Sequence, residues 1–230
     1  PMTDAFTVLG LVPLVARKVI DTVRARRAYR GWKKPKRFDR NLIVIGAGAA
    51  GLVTSYIAAI VRAKVTLIEK AQMGGDCLNR GCVPSKALLR AAHAAAEVDQ
   101  APGFGIPAQR GMPDFGKVMA RVRAAIAAIE PNDSIERYTG LGVEVLHGEA
   151  RIVSPWEVEV NGQRLSARHL VIATGARPFV PPIPGLDRVP YCTSDTFWNL
   201  EALPQRIVVL GGGPVGCELA QCLARFDCDV

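Results

Sequence analysis

Apolar residues change period several times along the chain, and each change predicts an element. Asn41 to Ile45 is a short β-type apolar run, Leu52 to Ala63 has helical spacing, and Lys64 to Ile68 reads as a second strand ending in Glu69. Beyond Pro84 the Ala-rich spacing of Ala87, Leu88, Ala91, Ala92 and Ala95 predicts helix to Glu97. Asp99 to Pro113 holds three prolines and three glycines and reads as a loop. Asp114 opens another helix whose core stripe is Val118, Val122, Ile126 and Ile129. From Gly142 the period shortens to two, with Val143 and Val145, then Val158 and Val160. Asn161-Gly162 predicts a two-residue hairpin into Gln163 to Leu165, and Leu170 to Ala173 reads as a buried strand. Pro178, Pro181, Pro182 and Pro184 mark Ala176 to Pro204 as an extended, exposed linker, after which Arg206 to Leu210 predicts a strand and a helix runs on to Phe226.

Glycines at the strand ends turn this pattern into candidate chemistry. Gly46-Ala47-Gly48-Ala49-Ala50-Gly51 lies between strand and helix, with Glu69 closing the next strand. That is a dinucleotide-binding fingerprint with its flanking elements: Gly46 for the tight turn, Gly48 for close approach to a pyrophosphate, Gly51 for helix–sheet packing, and Glu69 for ribose hydroxyls. The helix N-terminus then faces the phosphates. Gly211-Gly212-Gly213-Pro214-Val215-Gly216 repeats the arrangement, so the chain is expected to bind two dinucleotides through Gly46, Gly48 and Gly51 and through Gly211, Gly213 and Gly216. The fold class expected is α/β: a Rossmann-like domain with a parallel sheet, helices and a small antiparallel meander, then the start of a second Rossmann-like domain.

Between the two turns lies Gly74-Gly75-Asp76-Cys77-Leu78-Asn79-Arg80-Gly81-Cys82-Val83-Pro84-Ser85-Lys86. A regular helix would separate Cys77 and Cys82 by more than about 7.5 Å through axial rise alone, beyond the roughly 7 Å limit for a disulfide. If they pair, the backbone between them is bent, and such a pair is expected to be strained and easily reduced. Lys86 follows Cys82 by four residues, where an ammonium on the same helix face favours a thiolate. Taken alone, the spacing also suits two buried, unpaired cysteines.

The segment resembles the redox-active signature of the flavin-dependent pyridine nucleotide disulfide oxidoreductases, the group of glutathione reductase, dihydrolipoamide dehydrogenase and mercuric reductase. The resemblance implies FAD at the first glycine turn and NAD(P)H at the second. It makes Cys82 the charge-transfer thiolate near the flavin and Cys77 the interchange thiol that meets substrate, with Lys86 and its partner acid Glu218 beside the flavin. Lys70, Gly75, Asp76 and Ala173-Thr174-Gly175 join the cofactor set. Asp76 stands where many members carry Thr or Ser, either as a helix cap or as a carboxylate beside the thiols. Pro214 replaces an aromatic gate of some relatives, which leans away from glutathione reductase itself. The resemblance covers about 41 to 230; family members continue with the rest of both nucleotide domains and a dimerisation domain, so an N-terminal part of a homodimeric parent, inactive alone, is expected.

Charge adds one further feature. The formal net charge is +8, and residues 1 to 40 hold eleven Lys and Arg against three Asp. The remainder is balanced. Ala5 to Ala16 is apolar but too short to span a bilayer, and its order, apolar then basic, reverses that of a secretory signal. Three readings stay open for this leader: the end of a membrane segment, an amphipathic helix on an anionic surface with Tyr29 and Trp32 at the interface, or a solvated basic arm. The stretch Arg37 to Lys70 is similar to the junction in disulfide oxidoreductases fused behind a bacterial membrane domain. No nucleic-acid fold follows, so nucleic acid is not an expected partner.

The expected divisions are a basic leader (1–40), the first segment of an FAD-binding domain (41–175), a linker (176–205) and the start of an NAD(P)-binding domain (206–230). No metal site is expected, since Cys192, Cys217, Cys222 and Cys228 have no metal spacing. His93, His147 and His169 read as structural. A cytoplasmic location, at the inner face of a bacterial membrane if the leader docks, follows from cysteines read as reduced. The expected activity passes electrons from NAD(P)H through FAD to the Cys77/Cys82 disulfide and on to a small thiol, disulfide or metal-ion substrate. A flavin-binding redox sensor and a membrane-tethered, non-catalytic scaffold are the alternatives.

Overall fold

The computed structural model describes residues 3–230, with side chains from Ala16 onward. The side chains of residues 5–15, nearly all of the apolar run on which the membrane readings partly rest, lie outside the described residues. Six strands form one sheet: β1 (Arg40–Ile45), β2 (Val65–Glu69), β3 (Glu144–His147), β4 (Arg151–Ser154), β5 (Glu157–Val160) and β6 (Gln163–Ile172), in the order β3-β2-β1-β6-β5-β4. The first four in that order are parallel, and β6-β5-β4 is an antiparallel meander.

The alternation along β1 explains the layering. Val44 faces one side with Leu52, Val65 and Leu67, under α2 (Ala49–Ile60). Ile43 and Ile45 face the other with Ile68, Val158, Val160 and Ala167. A third core forms where α4 (Cys82–Gln100), α5 (Phe115–Ile129) and α7 (Pro214–Ala224) meet around Leu88, Met119, Val122, Leu223 and Phe226. Asp114 caps α5, its carboxylate accepting from Lys117 N at 3.0 Å.

Asn161 and Gly162, both with positive φ, make the expected hairpin turn between β5 and β6. Several sequence expectations need correction. Gln163–Leu165 and Leu170–Ala173 are not two strands but the two ends of β6, which pairs antiparallel with β5 in its first half and parallel with β1 in its second. Its end is not buried: Ile172 is 66% exposed. Arg206 to Leu210 forms no strand beyond a single parallel bridge, Arg206↔Asp229, because a ladder needs a run of partner residues and the described chain offers one. The linker is not wholly exposed, since Phe197 is 3% exposed within the third core. Asp99 belongs to α4, and Ile129 lies at the exposed end of its stripe. The strand β4 and the short helices α3 (Gly75–Asn79) and α6 (Ile135–Gly140) carry too few periodic positions to be read from pattern.

The leader is helical over α1 (Thr3–Ala28), and its described side chains are exposed. Tyr29 does not sit free at an interface; its ring packs on Trp156 at 5.1 Å. Among the described residues no helix is long and apolar enough to cross a membrane.

Candidate active site

The first glycine turn closes at the carboxyl end of β1. Gly46 has φ +102°, and a Cβ there would meet the Ala173 carbonyl oxygen at 2.2 Å, so the turn presses on the end of β6. Gly51 does not line the cleft. It is buried, and a Cβ on it would lie 1.8 Å from the Gly46 carbonyl oxygen, so its absence lets α2 start against the turn. Gly48 is the N-cap of α2 and supplies no side-chain cap, which leaves the first-turn N–H groups free for an anion.

A cleft of about 470 Å³ opens in front of this turn. Of the predicted cofactor residues, Gly46, Gly48, Glu69, Lys70, Gly75, Asp76, Ala173, Thr174 and Gly175 line it together. Glu69 is already engaged, accepting from Ala47 N at 2.6 Å and Ala71 N at 2.7 Å; each oxygen keeps a lone pair for a hydroxyl. Lys70 pairs with Glu149 at 3.0 Å. These features suit a dinucleotide: backbone donors at a helix start, glycine surfaces that a Cβ would fill, and an acid at the next strand end.

The cysteine segment packs directly on the glycine turn. Gly74 and Gly75 both have positive φ, Gly74 N donates to Ala47 O at 2.9 Å, and the Asn79 amide donates to Met73 O and Gly75 O. The chain breaks between α3 and α4 at Arg80-Gly81, the bend that Cys77 and Cys82 need. Both are free thiols, Cys82 exposed and Cys77 partly buried. Burial, then the adjoining Cys82 thiol, pushes Cys77 up to about 11, with Asp133 adding to the same direction. Pro84 falls in the first turn of α4, where its missing N–H is tolerated. Asp76 does not cap α3, whose N-cap is Gly74; it leans on Arg80 at 3.9 Å.

Lys86 projects from the first turns of α4 to Glu218 on α7, Nζ to Oε2 at 3.3 Å. Both groups are substantially exposed, so the pair fixes position more than it stabilises the fold. Glu218 belongs to the second glycine turn, which copies the first. Gly211 has φ +110°, Gly213 caps α7 in an extended conformation as Gly48 caps α2, and a Cβ on Gly216 would lie 2.3 Å from the Gly211 carbonyl oxygen. The bridge Arg206↔Asp229 has the same sequence offset as Leu42↔Val65. Pro214 is the first residue of α7, a position that favours proline.

Arg80, Asn79, Glu149, Arg177 and Asp195 also line the cleft and were not anticipated. Arg80 stands inside the cysteine segment, but besides Asp76 it has two partners far along the chain. Asp195 pairs with it at 3.5 Å, and the Trp198 indole donates to its carbonyl at 2.7 Å.

Comparison with known proteins agrees with this geometry. Residues 40–230 match the family model for pyridine nucleotide-disulphide oxidoreductases. A mercuric reductase of Lysinibacillus sphaericus is 36% identical over 83% of this chain and 35% of its own length. A glutathione reductase of Burkholderia cepacia is 38% identical over 80% of this chain and 40% of its own length. The solved structure of the HOCl-induced flavoprotein disulfide reductase RclA from Escherichia coli covers 81% of this chain and 40% of its own, at 28% identity and a TM-score of 0.68. The chain thus spans roughly a third of the mercuric reductase it matches, and the family it matches uses FAD and NAD(P)H. The chain belongs to the pyridine nucleotide-disulphide oxidoreductase family.

Proposed function

We propose that this chain is the N-terminal part of an FAD-dependent NAD(P)H disulfide oxidoreductase in which Cys77 and Cys82 are the redox pair. The observation that carries the reading is that the cysteine segment is seated on the glycine turn of the cleft, with Gly75 against Gly48. Residues 41–175 serve as the first segment of the FAD-binding domain, 176–205 as the linker and 206–230 as the start of the NAD(P)-binding domain, with 1–40 as a basic leader.

The α2 N-terminus with Gly46 and Gly48 would hold the pyrophosphate of FAD, Glu69 the ribose, and Lys70, Gly75, Asp76 and Ala173 to Gly175 the remaining walls. When bound, FAD supplies the passage of an electron pair between NAD(P)H and the cysteine pair. Taking up two electrons and two protons, the Cys77–Cys82 disulfide opens to two thiols. The Cys77 sulfur then attacks a substrate disulfide and releases its first thiol, and Cys82 displaces the second, which restores the Cys77–Cys82 bond. Lys86, steadied by Glu218 at 3.3 Å, stands one turn along α4 from Cys82, on the side where the flavin would lie. The substrate is a small thiol, disulfide or metal ion, and the parent works as a homodimer in the cytoplasm. The eleven cations of the leader favour contact with the anionic inner face of a membrane.

The visible spectrum of the purified chain with FAD, before and after mild two-electron reduction, tests the reading. A bound flavin that gains a long-wavelength band on reduction, lost in Cys82→Ser, is the expected result. A flavin that binds but gives the same reduced spectrum in Cys82→Ser would refute the role of the pair.

A further inference from the structure

The break between α3 and α4 leaves the Arg80 carbonyl without a helical partner. In a continuous helix the Arg80 carbonyl would accept from the N–H of residue 84, and residue 84 is a proline with no N–H. The Trp198 indole supplies that donor, at 2.7 Å, from 118 residues away. Next to it, Asp195 holds the Arg80 guanidinium at 3.5 Å. Both partners are themselves fixed. Trp198 stands edge-on to Phe197 at 5.1 Å, and Phe197 is buried in the core of α4, α5 and α7. Asp195 N donates to the Thr193 hydroxyl, and Thr193 N to the Thr196 hydroxyl.

We infer that Trp198 and Asp195 are positioning residues that hold the joint between Cys77 and Cys82 in its bent form when the pair is reduced. This deepens the proposed redox role and rests on it. Pro84 bars a continuous helix through Arg80 but leaves the angle of the joint open, and a dithiol whose joint flexes carries its sulfurs apart, so reclosure of the disulfide must first recover the bend. With the joint clamped from the linker, the two thiols stay adjacent and the disulfide reforms at a higher effective concentration. The linker thereby acts on the chemistry of a segment it does not belong to.

The test is the thiol–disulfide equilibrium of the 230-residue chain in mixtures of glutathione and glutathione disulfide. Two protein thiols and one glutathione disulfide give the Cys77–Cys82 disulfide and two glutathiones, and alkylation followed by peptide mass spectrometry reads the fraction closed. Trp198→Phe keeps the ring packed on Phe197 but removes the donor, and is expected to lower the equilibrium constant about fivefold. Asp195→Asn is expected to lower it about twofold, as befits a half-exposed ion pair. An unchanged constant in both variants, even with a lowered melting temperature, overturns the clamp and leaves only a structural role. A wild-type chain that forms no Cys77–Cys82 disulfide in any mixture removes the redox reading itself, and the clamp with it.

Discussion

Gly75 and Gly48 meet backbone to backbone, and a Cβ on Gly75 would stand 2.6 Å from the Gly48 Cα. The redox segment and the phosphate turn are thus one packed unit, and Gly75 cannot carry a larger residue at the contact. Gly75→Ala should therefore push α3 off the turn and destabilise the chain by about 1–3 kcal/mol from the left-handed backbone alone, since φ there is +54°. Gly103 has nothing within 4 Å of a Cβ, and Gly103→Ala should change stability by less than about 0.5 kcal/mol. Urea midpoints of the two variants check this; equal midpoints would mean the close approach is not real.

The two glycine turns predict separable effects. Gly51 and Gly216 each sit under a carbonyl, of Gly46 and Gly211 respectively, with no room for a Cβ. Gly51→Ala should weaken FAD binding by about tenfold or more while the second turn keeps its shape; Gly216→Ala in the full-length parent should do the same to NAD(P)H and spare FAD. Flavin fluorescence quenching and nicotinamide titration separate the two. Loss of both nucleotides in either variant would argue that the turns are not independent.

Much of this was legible in the sequence because it depends on local chemistry. Gly46, Gly48 and Gly51 imply a turn whatever follows them, and Asn161-Gly162 fixes its own hairpin. Lys86 and Glu218 are far apart in sequence, and only the family resemblance joined them. What could not be read is what depends on partners. β6 switches from β5 to β1 at Ala167, and nothing in Ser166-Ala167-Arg168-His169 distinguishes a strand that changes neighbours from a strand that ends. Phe197 and Trp198 read as linker because the prolines before them dominate the composition. Their role emerges only once α4, α5 and α7 enclose Phe197 and the Arg80 carbonyl is seen to lack a helical donor.

Arg110 ties the loop after α4 to the end of the chain. Its guanidinium donates to Asp99 at 2.9 Å and to Asp227 at 2.8 Å, with its side chain only 15% exposed. The two carboxylates hold its guanidinium protonated above the usual arginine range, Asp99 first and Asp227 second. Arg110→Met should release both half-exposed acids to solvent and cost about 0.5–1 kcal/mol. Because Asp227 follows α7, the loss should fall first on residues 206–230. Limited proteolysis should cut that segment faster in the variant, and an unchanged cutting rate would show that the α7 core alone holds it.

The two partly and fully buried thiols make stability depend on alkaline pH. Burial, then Cys82, pushes Cys77 up to about 11, and burial pushes Cys222 up to about 11, against an ordinary value of 9.0. A raised acid constant means that the fold keeps its proton where the unfolded chain has lost it. The contribution of each thiol is therefore complete below pH 9, declines as pH rises from about 9 to about 11, and stays lost above that. In the reduced protein the urea midpoint should be level up to about pH 8.5 and fall beyond about pH 9. Cys77→Ser should flatten part of that fall, and Cys222→Ala another part. The difference between wild type and each variant isolates the thiol from the lysines that titrate in the same range. A difference that does not change with pH would mean that the thiol ionises alike in the folded and unfolded chain, and that Cys77 is not held protonated by its burial against Cys82.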